Sequence, residues 1–165
     1  GFIFGDEVTA RNISIGQIAW FNLIFALVLL AAYQFGRKSK DLSQLTFWQA
    51  LVIGSMQAFA ILPGASRSGM AITGGMFIGL KLIPAAKFAF LLAIPTILGS
   101  VFFMGIEVMH SLDTLNILAI SLGFLISGAI AFLTMKFFLK LVEKIGLIPF
   151  VAYRLVLGIS LLLFI

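Results

Sequence analysis

The stretch QAFAILPGASRSGMAIT, residues 57–73, places Pro63–Gly64, two serines and an arginine inside an apolar segment. Proline and glycine interrupt helices, and the apolar residues on each side number only about 15. A helix needs about 20 apolar residues to cross the hydrocarbon core. We therefore predict a re-entrant helical pair over about residues 47–80, broken at Pro63–Gly64 and again around Gly74–Gly75. Two short, tilted helices joined by an ordinary loop are the alternative.

The composition places this segment in a membrane. Of 165 residues, 62% are hydrophobic and 10% are charged, which is far from the composition of a soluble domain. Four further segments are long and apolar enough to span a bilayer, at about residues 15–35, 85–106, 115–138 and 147–165. The prediction is an all-α, polytopic membrane helix bundle that forms a single membrane domain over residues 1–165.

The charged residues give this bundle an orientation. The formal net charge is +5, but the basic residues are scattered between apolar segments, which argues against a nucleic-acid surface. If the broken segment returns to its starting face, one side of the membrane carries Arg37, Lys38, Lys40, Lys81, Lys87, Lys136, Lys140 and Lys144. The other side carries Asp6, Glu7, Arg11, Glu107, His110 and Asp113. An excess of Lys and Arg marks the cytoplasmic side.

The break itself has the chemistry of an anion site. A helix that begins after Pro63–Gly64 exposes unpaired backbone N–H groups and the positive end of its dipole. Arg67 adds a forked, permanently charged donor, and Ser66 and Ser68 add hydroxyls. The residues of this stretch therefore predict a phosphate cradle at membrane depth. The alternative is a helix-breaking turn with a serine cap and an arginine that reaches the surface.

Other ionisable residues bear on this site. Arg154 lies inside the last apolar segment, where a charged group is usually paired and functional, although its head group could also extend back to the membrane surface. There is no carboxylate between Asp41 and Glu107, and the single histidine, His110, falls in a loop. The break therefore lacks a nearby acid, base or metal ligand, so it is either completed by other sequence or binds without catalysis.

The chain resembles a known family in three stretches: LVIGSMQAFAILPGASRSGMAITGGMFIGL, AAKFAFLLAIPTILGS and GAIAFLTMKFFLKLVEKIGLIPFVAYRLVLG. They are similar to the C-terminal part of the bacterial undecaprenyl-diphosphatases, the BacA or bacitracin-resistance proteins, whose second signature matches residues 63–69. The resemblance implies an inner-membrane enzyme with inverted repeats, each with a re-entrant hairpin. Its implied activity is hydrolysis of undecaprenyl diphosphate to undecaprenyl phosphate and phosphate, which recycles the lipid carrier for peptidoglycan synthesis.

The family's first signature, approximately E-G-x-T-E-F-L-P-x-S-S-x-G-H, has no match here. We therefore expect the chain to be the later part of a longer protein and inactive alone, with the ligands of a divalent cation, Mg2+ or Ca2+, in the missing repeat. The resemblance implies that this chain contributes catalytic and substrate-binding residues but no metal ligand. The catalytic residues are Arg67, Ser66 and Ser68, and the substrate-binding residues are Pro63, Gly64, Gly69, Thr73 and Arg154.

One position departs from the family pattern, and some alternatives stay open. Where many members have a threonine two residues after the signature glycine, this chain has Ala71, with Thr73 further on. The implied partners are a polyprenyl diphosphate and membrane lipids, and a homodimer is possible. A transporter for polyprenyl phosphates or other anions is the alternative function, because transporters also bind anions at the ends of broken helices.

Overall fold

The computed structural model describes residues 14–108 and 117–164, and the elements in that part of the chain are helical. They include two 3-10 turns, Leu42–Gln44 and Phe59–Ile61. The predicted all-α class is confirmed for these residues. The helices are α1 (Ile15–Phe35), α2 (Phe47–Ala58), α3 (Arg67–Phe77), α4 (Leu82–Val108), α5 (Ile117–Ile145) and α6 (Ile148–Leu163).

Three of these helices contain a stretch long and apolar enough to cross a membrane: Ile15–Phe35, Leu82–Phe103 and Leu118–Ile145. The prediction of a fourth complete span at about residues 147–165 is corrected, because α6 has 16 residues, about 24 Å of helix. Its apolar sequence is longer than its helix, since Leu147 is the N-cap and the helix ends at Leu163.

The broken segment is a helical hairpin whose two outer ends meet. The backbone amides of Ser39 and Lys40 both donate to the Gly79 carbonyl at 2.9 Å, and the Lys81 amide donates to the Lys40 carbonyl at 3.0 Å. The Lys81 ammonium also forms a salt bridge with Asp41 at 3.0 Å. The two outer ends of the segment therefore lie side by side.

The second break is not at Gly74–Gly75. Both glycines are buried inside α3, which continues to Phe77, and the chain turns at Gly79 with a φ of +102°. A β-carbon at Gly74 would lie 3.1 Å from the Met56 side chain of α2. The glycine pair therefore lets α3 pack closely against its neighbours instead of interrupting the helix.

Several basic residues gather at the end of the bundle where the hairpin opens. The Lys38 ammonium lies 4.1 Å from the centre of the Tyr33 ring, and the Tyr33 hydroxyl lies beside Gly146, directly after α5. On the other side, Asp6, Glu7, Arg11, His110 and Asp113 lie outside the described residues, as does the Glu107 side chain. The predicted charge asymmetry therefore stays a prediction.

The core lies where α3 meets α1, α2 and the start of α4. Its buried side chains include Ile53, Ala71, Met76 and Ala85. By contrast, the described side chains from Leu118 to Thr134 of α5 are all exposed, although most are apolar. Such exposure is stable in hydrocarbon but not in water, which agrees with a membrane protein.

Candidate functional site

The break between α2 and α3 is a tight turn, which we call the serine turn (residues 64–69). The 3-10 turn at the end of α2 leads to the extended residue Leu62, whose carbonyl accepts from the Ala65 amide at 3.1 Å. Gly64 has a φ of +90°, and a β-carbon there would lie 2.5 Å from the Ile18 carbonyl oxygen of α1. Glycine is therefore required at this position by both backbone conformation and space.

Ser66 caps α3 and organises the turn. Its Oγ accepts from the Gly69 amide at 3.2 Å and lies 3.3 Å from the Ser68 Oγ. Among the described residues, the backbone amides of Arg67 and Ser68 have no acceptor. Two N–H groups, two hydroxyls and the positive end of the helix dipole thus converge at the start of α3.

Arg67 is exposed at the first position of α3. The described part of the chain offers it no carboxylate partner. It lies beside a cavity of about 350 Å3, here named cavity B, whose polar lining also includes Gln57 and Thr96. The Gln57 amide donates to the Thr96 hydroxyl at 2.9 Å, and this hydroxyl donates to the Leu92 carbonyl at 2.9 Å.

Arg154 approaches the serine turn from α6. Its Nε donates to Oδ1 of Asn22 at 2.9 Å, and its Nη2 donates to the Gly64 carbonyl at 2.7 Å. The Asn22 amide donates in return to the Arg154 carbonyl at 2.7 Å. Arg154 is therefore paired within the bundle, and the alternative in which its side chain extends back to the membrane surface is wrong.

A larger cavity of about 510 Å3, here named cavity A, lies between α1, α3, α5 and α6. Its polar end is formed by Asn22, Arg154 and the serine turn, and its remaining wall is apolar. The apolar wall is lined by Ile18, Leu29, Ile72, Phe138, Leu147, Phe150, Leu157 and Leu161, with Tyr153 beside Arg154. Ser66 and Ser68 border both cavities. The serine turn therefore lies between cavity A, which is apolar with one polar end, and cavity B, which Arg67 borders.

The structure brings together most of the residues predicted from the sequence. Gly64, Ser66, Ser68, Gly69 and Arg154 border cavity A, and Arg67 borders cavity B. Thr73 lines neither cavity. It is 1% exposed, and its hydroxyl donates to the Gly69 carbonyl at 2.7 Å. Pro63 lies directly before the serine turn and lines neither cavity.

Sequence reasoning missed three polar residues at the site: Asn22, Gln57 and Thr96. Each is an uncharged polar residue in an apolar helix, and the Asn22 side chain is buried. An amide inside a membrane-length helix is costly unless it finds a partner. This cost marks such a residue in the sequence as one that needs a hydrogen-bond partner, but it does not identify the partner.

The donor set at the break does not fit a divalent metal ion. Mg2+ and Ca2+ prefer carboxylate oxygens, whereas the serine turn and both cavities offer hydroxyls, amides and guanidinium groups. Within residues 14–108 and 117–164, no cluster of three His, Cys, Asp or Glu residues could hold a metal. That the ligands of a divalent cation lie outside this chain stays a prediction.

Helices of membrane-spanning length and a polar helix break inside an apolar bundle define a polytopic helical membrane protein with an internal polar site. The particular family follows from sequence comparison. The pattern of the bacitracin resistance protein BacA family matches residues 1–160, and the chain belongs to this family.

Three relatives named undecaprenyl-diphosphatase illustrate the similarity. The Teredinibacter turnerae protein is 39% identical over 161 residues, 98% of this chain and 61% of the relative. The Ruthia magnifica subsp. Calyptogena magnifica protein is 37% identical over 166 residues, 100% of this chain and 62% of the relative. The Alcanivorax borkumensis protein is 39% identical over 163 residues, 98% of this chain and 61% of the relative. The chain thus spans about three fifths of the length of these relatives.

Proposed function

We propose that this chain takes part in the hydrolysis of undecaprenyl diphosphate to undecaprenyl phosphate and phosphate, and that the serine turn holds the diphosphate. The observation that carries the proposal is the convergence of two free amides, two hydroxyls and Arg67 where the two cavities meet. Such a set of donors suits a phosphate group. The names of the relatives supply the reaction.

The residues have distinct roles in this proposal. Ser66 and Ser68 donate hydroxyl hydrogen bonds to phosphate oxygens, and Arg67 offsets the negative charge that develops as the terminal phosphate leaves. Gly64 and Gly69 let the phosphates approach the backbone closely. The apolar wall of cavity A accommodates the first part of the prenyl tail, while Arg154 lies at the polar end of this cavity. The buried Thr73 holds the Gly69 carbonyl through its hydroxyl, and Pro63 interrupts the helix directly before the serine turn.

The hairpin is re-entrant in this proposal, with both outer ends at the cytoplasmic face of the bacterial inner membrane. Two observations support this arrangement. The outer ends are joined by backbone hydrogen bonds, and Gly64 of the turn lies against Asn22, which is seven residues, or about 10 Å, from the N-terminal end of α1. A charged turn at that depth needs protein partners, and Arg154, itself bonded to Asn22, provides one for the Gly64 carbonyl. A second, inverted repeat would complete the fold.

The rest of the active site lies, we propose, in sequence that the relatives have beyond the matched region. The divalent cation and its carboxylate ligands belong to that part, so this chain alone is inactive. A homodimer in which two copies complete each other's site is the competing arrangement. The two arrangements differ in what must be added to obtain activity.

The test is phosphate release from a prenyl diphosphate in detergent with Mg2+ or Ca2+. The chain is assayed alone and after co-expression with the part of the Teredinibacter turnerae relative outside the matched region. We expect release only from the co-expressed pair, and loss of release with Arg67→Ala. Activity of the chain alone at the level of the pair would contradict a split site and favour the homodimer. Transfer of prenyl phosphate across liposome membranes without phosphate release would favour the transporter.

A further inference from the structure

Asn22 and Arg154 are joined by a reciprocal pair of hydrogen bonds. Asn22 donates to the Arg154 carbonyl at 2.7 Å, and Arg154 donates through Nε to Asn22 Oδ1 at 2.9 Å. Asn22 is 6% exposed, so its amide would lack partners without Arg154. The two residues are 132 positions apart in the chain. Their contact therefore fixes α6 against α1 in one register.

The same guanidinium supports the break in the helix. The Gly64 carbonyl lies between the 3-10 end of α2 and the first turn of α3, and it accepts from Arg154 Nη2 at 2.7 Å. An unpaired carbonyl in an apolar surrounding costs free energy. Arg154 thus satisfies an acceptor that neither helix satisfies.

The guanidinium also reaches the other end of the serine turn. A β-carbon at Gly69 would lie 3.2 Å from Arg154 Nη1, so this nitrogen lies directly against the first turn of α3. Arg154 therefore contacts Gly64 and approaches Gly69, the two residues that bound the turn carrying Ser66 and Ser68.

We infer that Asn22 and Arg154 form a positioning pair that holds the serine turn in place before any ligand binds. Asn22 orients the guanidinium, and the guanidinium holds the Gly64 carbonyl. The pair holds the turn because two guanidinium nitrogens of Arg154 bond to two acceptors at once. Arg154→Lys keeps the charge but offers one nitrogen in place of three, so it should not replace the arginine. The inference concerns the unliganded turn, and only its ligand-binding consequence rests on the proposed function.

The chain has no cysteine, so a single Ala65→Cys reports on the serine turn. The measurement is the rate at which a small thiol reagent labels the cysteine introduced by Ala65→Cys. The protein is purified, monodisperse and free of ligand. It is made in the otherwise unchanged chain and with Asn22→Leu, Asn22→Asp or Arg154→Lys added. Ser100→Ala is the matched control, because it removes a hydrogen bond within α4 at an exposed position.

With Asn22→Leu and Arg154→Lys we expect labelling to become about tenfold faster, since hydrogen bonds to a charged group are worth at least that factor. Asn22→Asp keeps the acceptor for Arg154 Nε and should give an intermediate labelling rate. This variant provides the test if Asn22→Leu does not fold. Ser100→Ala should leave the rate unchanged. Rates within twofold of the unchanged chain for both Asn22→Asp and Arg154→Lys would overturn the positioning role.

A second measurement separates this inference from the proposed function. Farnesyl diphosphate is added, and its protection of the cysteine from labelling is recorded. If protection is absent in every variant while the rate differences persist, the proposed ligand is wrong and the positioning pair stands. If Arg154→Lys loses protection but labels at the unchanged rate, Arg154 is a direct contact and the positioning role is wrong.

Discussion

Gly64→Ala tests the geometry of the break most directly. The φ of +90° lies in the region that side chains avoid, and the new methyl group would meet the Ile18 carbonyl oxygen at 2.5 Å. Both effects act in the folded protein. Relief would require α1 and the serine turn to separate, which would also disturb the contact between Arg154 and the Gly64 carbonyl.

The expected magnitude follows from these two terms. A non-glycine residue in a left-handed conformation costs about 1–2 kcal/mol. Forcing a methyl group into a packed contact costs about 1–3 kcal/mol more. We therefore expect Gly64→Ala to lower the free energy of unfolding by about 2–5 kcal/mol, which corresponds to a fall in melting temperature of roughly 5–15 °C for a protein of this size.

Gly99→Ala is the matched control for the same chemical change. Gly99 lies in the interior of α4, and a β-carbon there would have no heavy atom within 4 Å among the described residues. Alanine favours the helix over glycine by about 0.5–1 kcal/mol, so this variant should melt slightly higher than the unchanged chain.

The assay is thermal unfolding of both variants in one detergent at one heating rate, followed by far-UV circular dichroism. The quantity compared is the difference in melting temperature between Gly64→Ala and Gly99→Ala. If the two variants melt within about 2 °C of each other, less than about 1 kcal/mol separates them. In that case Gly64 has neither the positive φ nor the close contact with the Ile18 carbonyl from which the prediction is derived.

Three further substitutions are expected to have separable effects. Arg67→Ala should lower phosphate release by the co-expressed pair about a hundredfold, or about 3 kcal/mol, with little change in melting temperature; full activity would exclude Arg67 from charge stabilisation. Ser66→Ala removes the acceptor of the Gly69 amide and should cost about 1 kcal/mol of stability by thermal unfolding, so an unchanged melting temperature would contradict the cap. Lys81→Ala breaks a salt bridge whose partners are 50% and 56% exposed and should cost less than about 1 kcal/mol. A larger loss, or one insensitive to salt, would mean that the hairpin opening depends on this pair.

The class of fold and the position of the break could be predicted because each depends on local chemistry. An apolar run as long as that of residues 15–35 is stable as a helix in hydrocarbon, whichever protein segments surround it. Pro63–Gly64 interrupts a helix by its own stereochemistry, and Ser66 caps the next one. The prediction of a second break at Gly74–Gly75 is wrong because a glycine pair is compatible with both a turn and close helix packing. Only the tertiary contacts, with Met56 of α2 at Gly74 and with Ala85 of α4 at Gly75, decide between them.

The sequence by itself determined that this protein lies in a membrane, that its apolar segment breaks at Pro63–Gly64, and that Ser66, Arg67 and Ser68 stand at the start of a helix. These are properties of neighbouring residues. Only the tertiary structure decided that Arg154 holds the Gly64 carbonyl while bonded to Asn22, 132 residues away, and that the serine turn divides two cavities. Nothing in the apolar pattern of a helix specifies its partner, because hydrocarbon solvates every apolar face alike. The register of α1 against α6 is set by the few polar groups that must find one another.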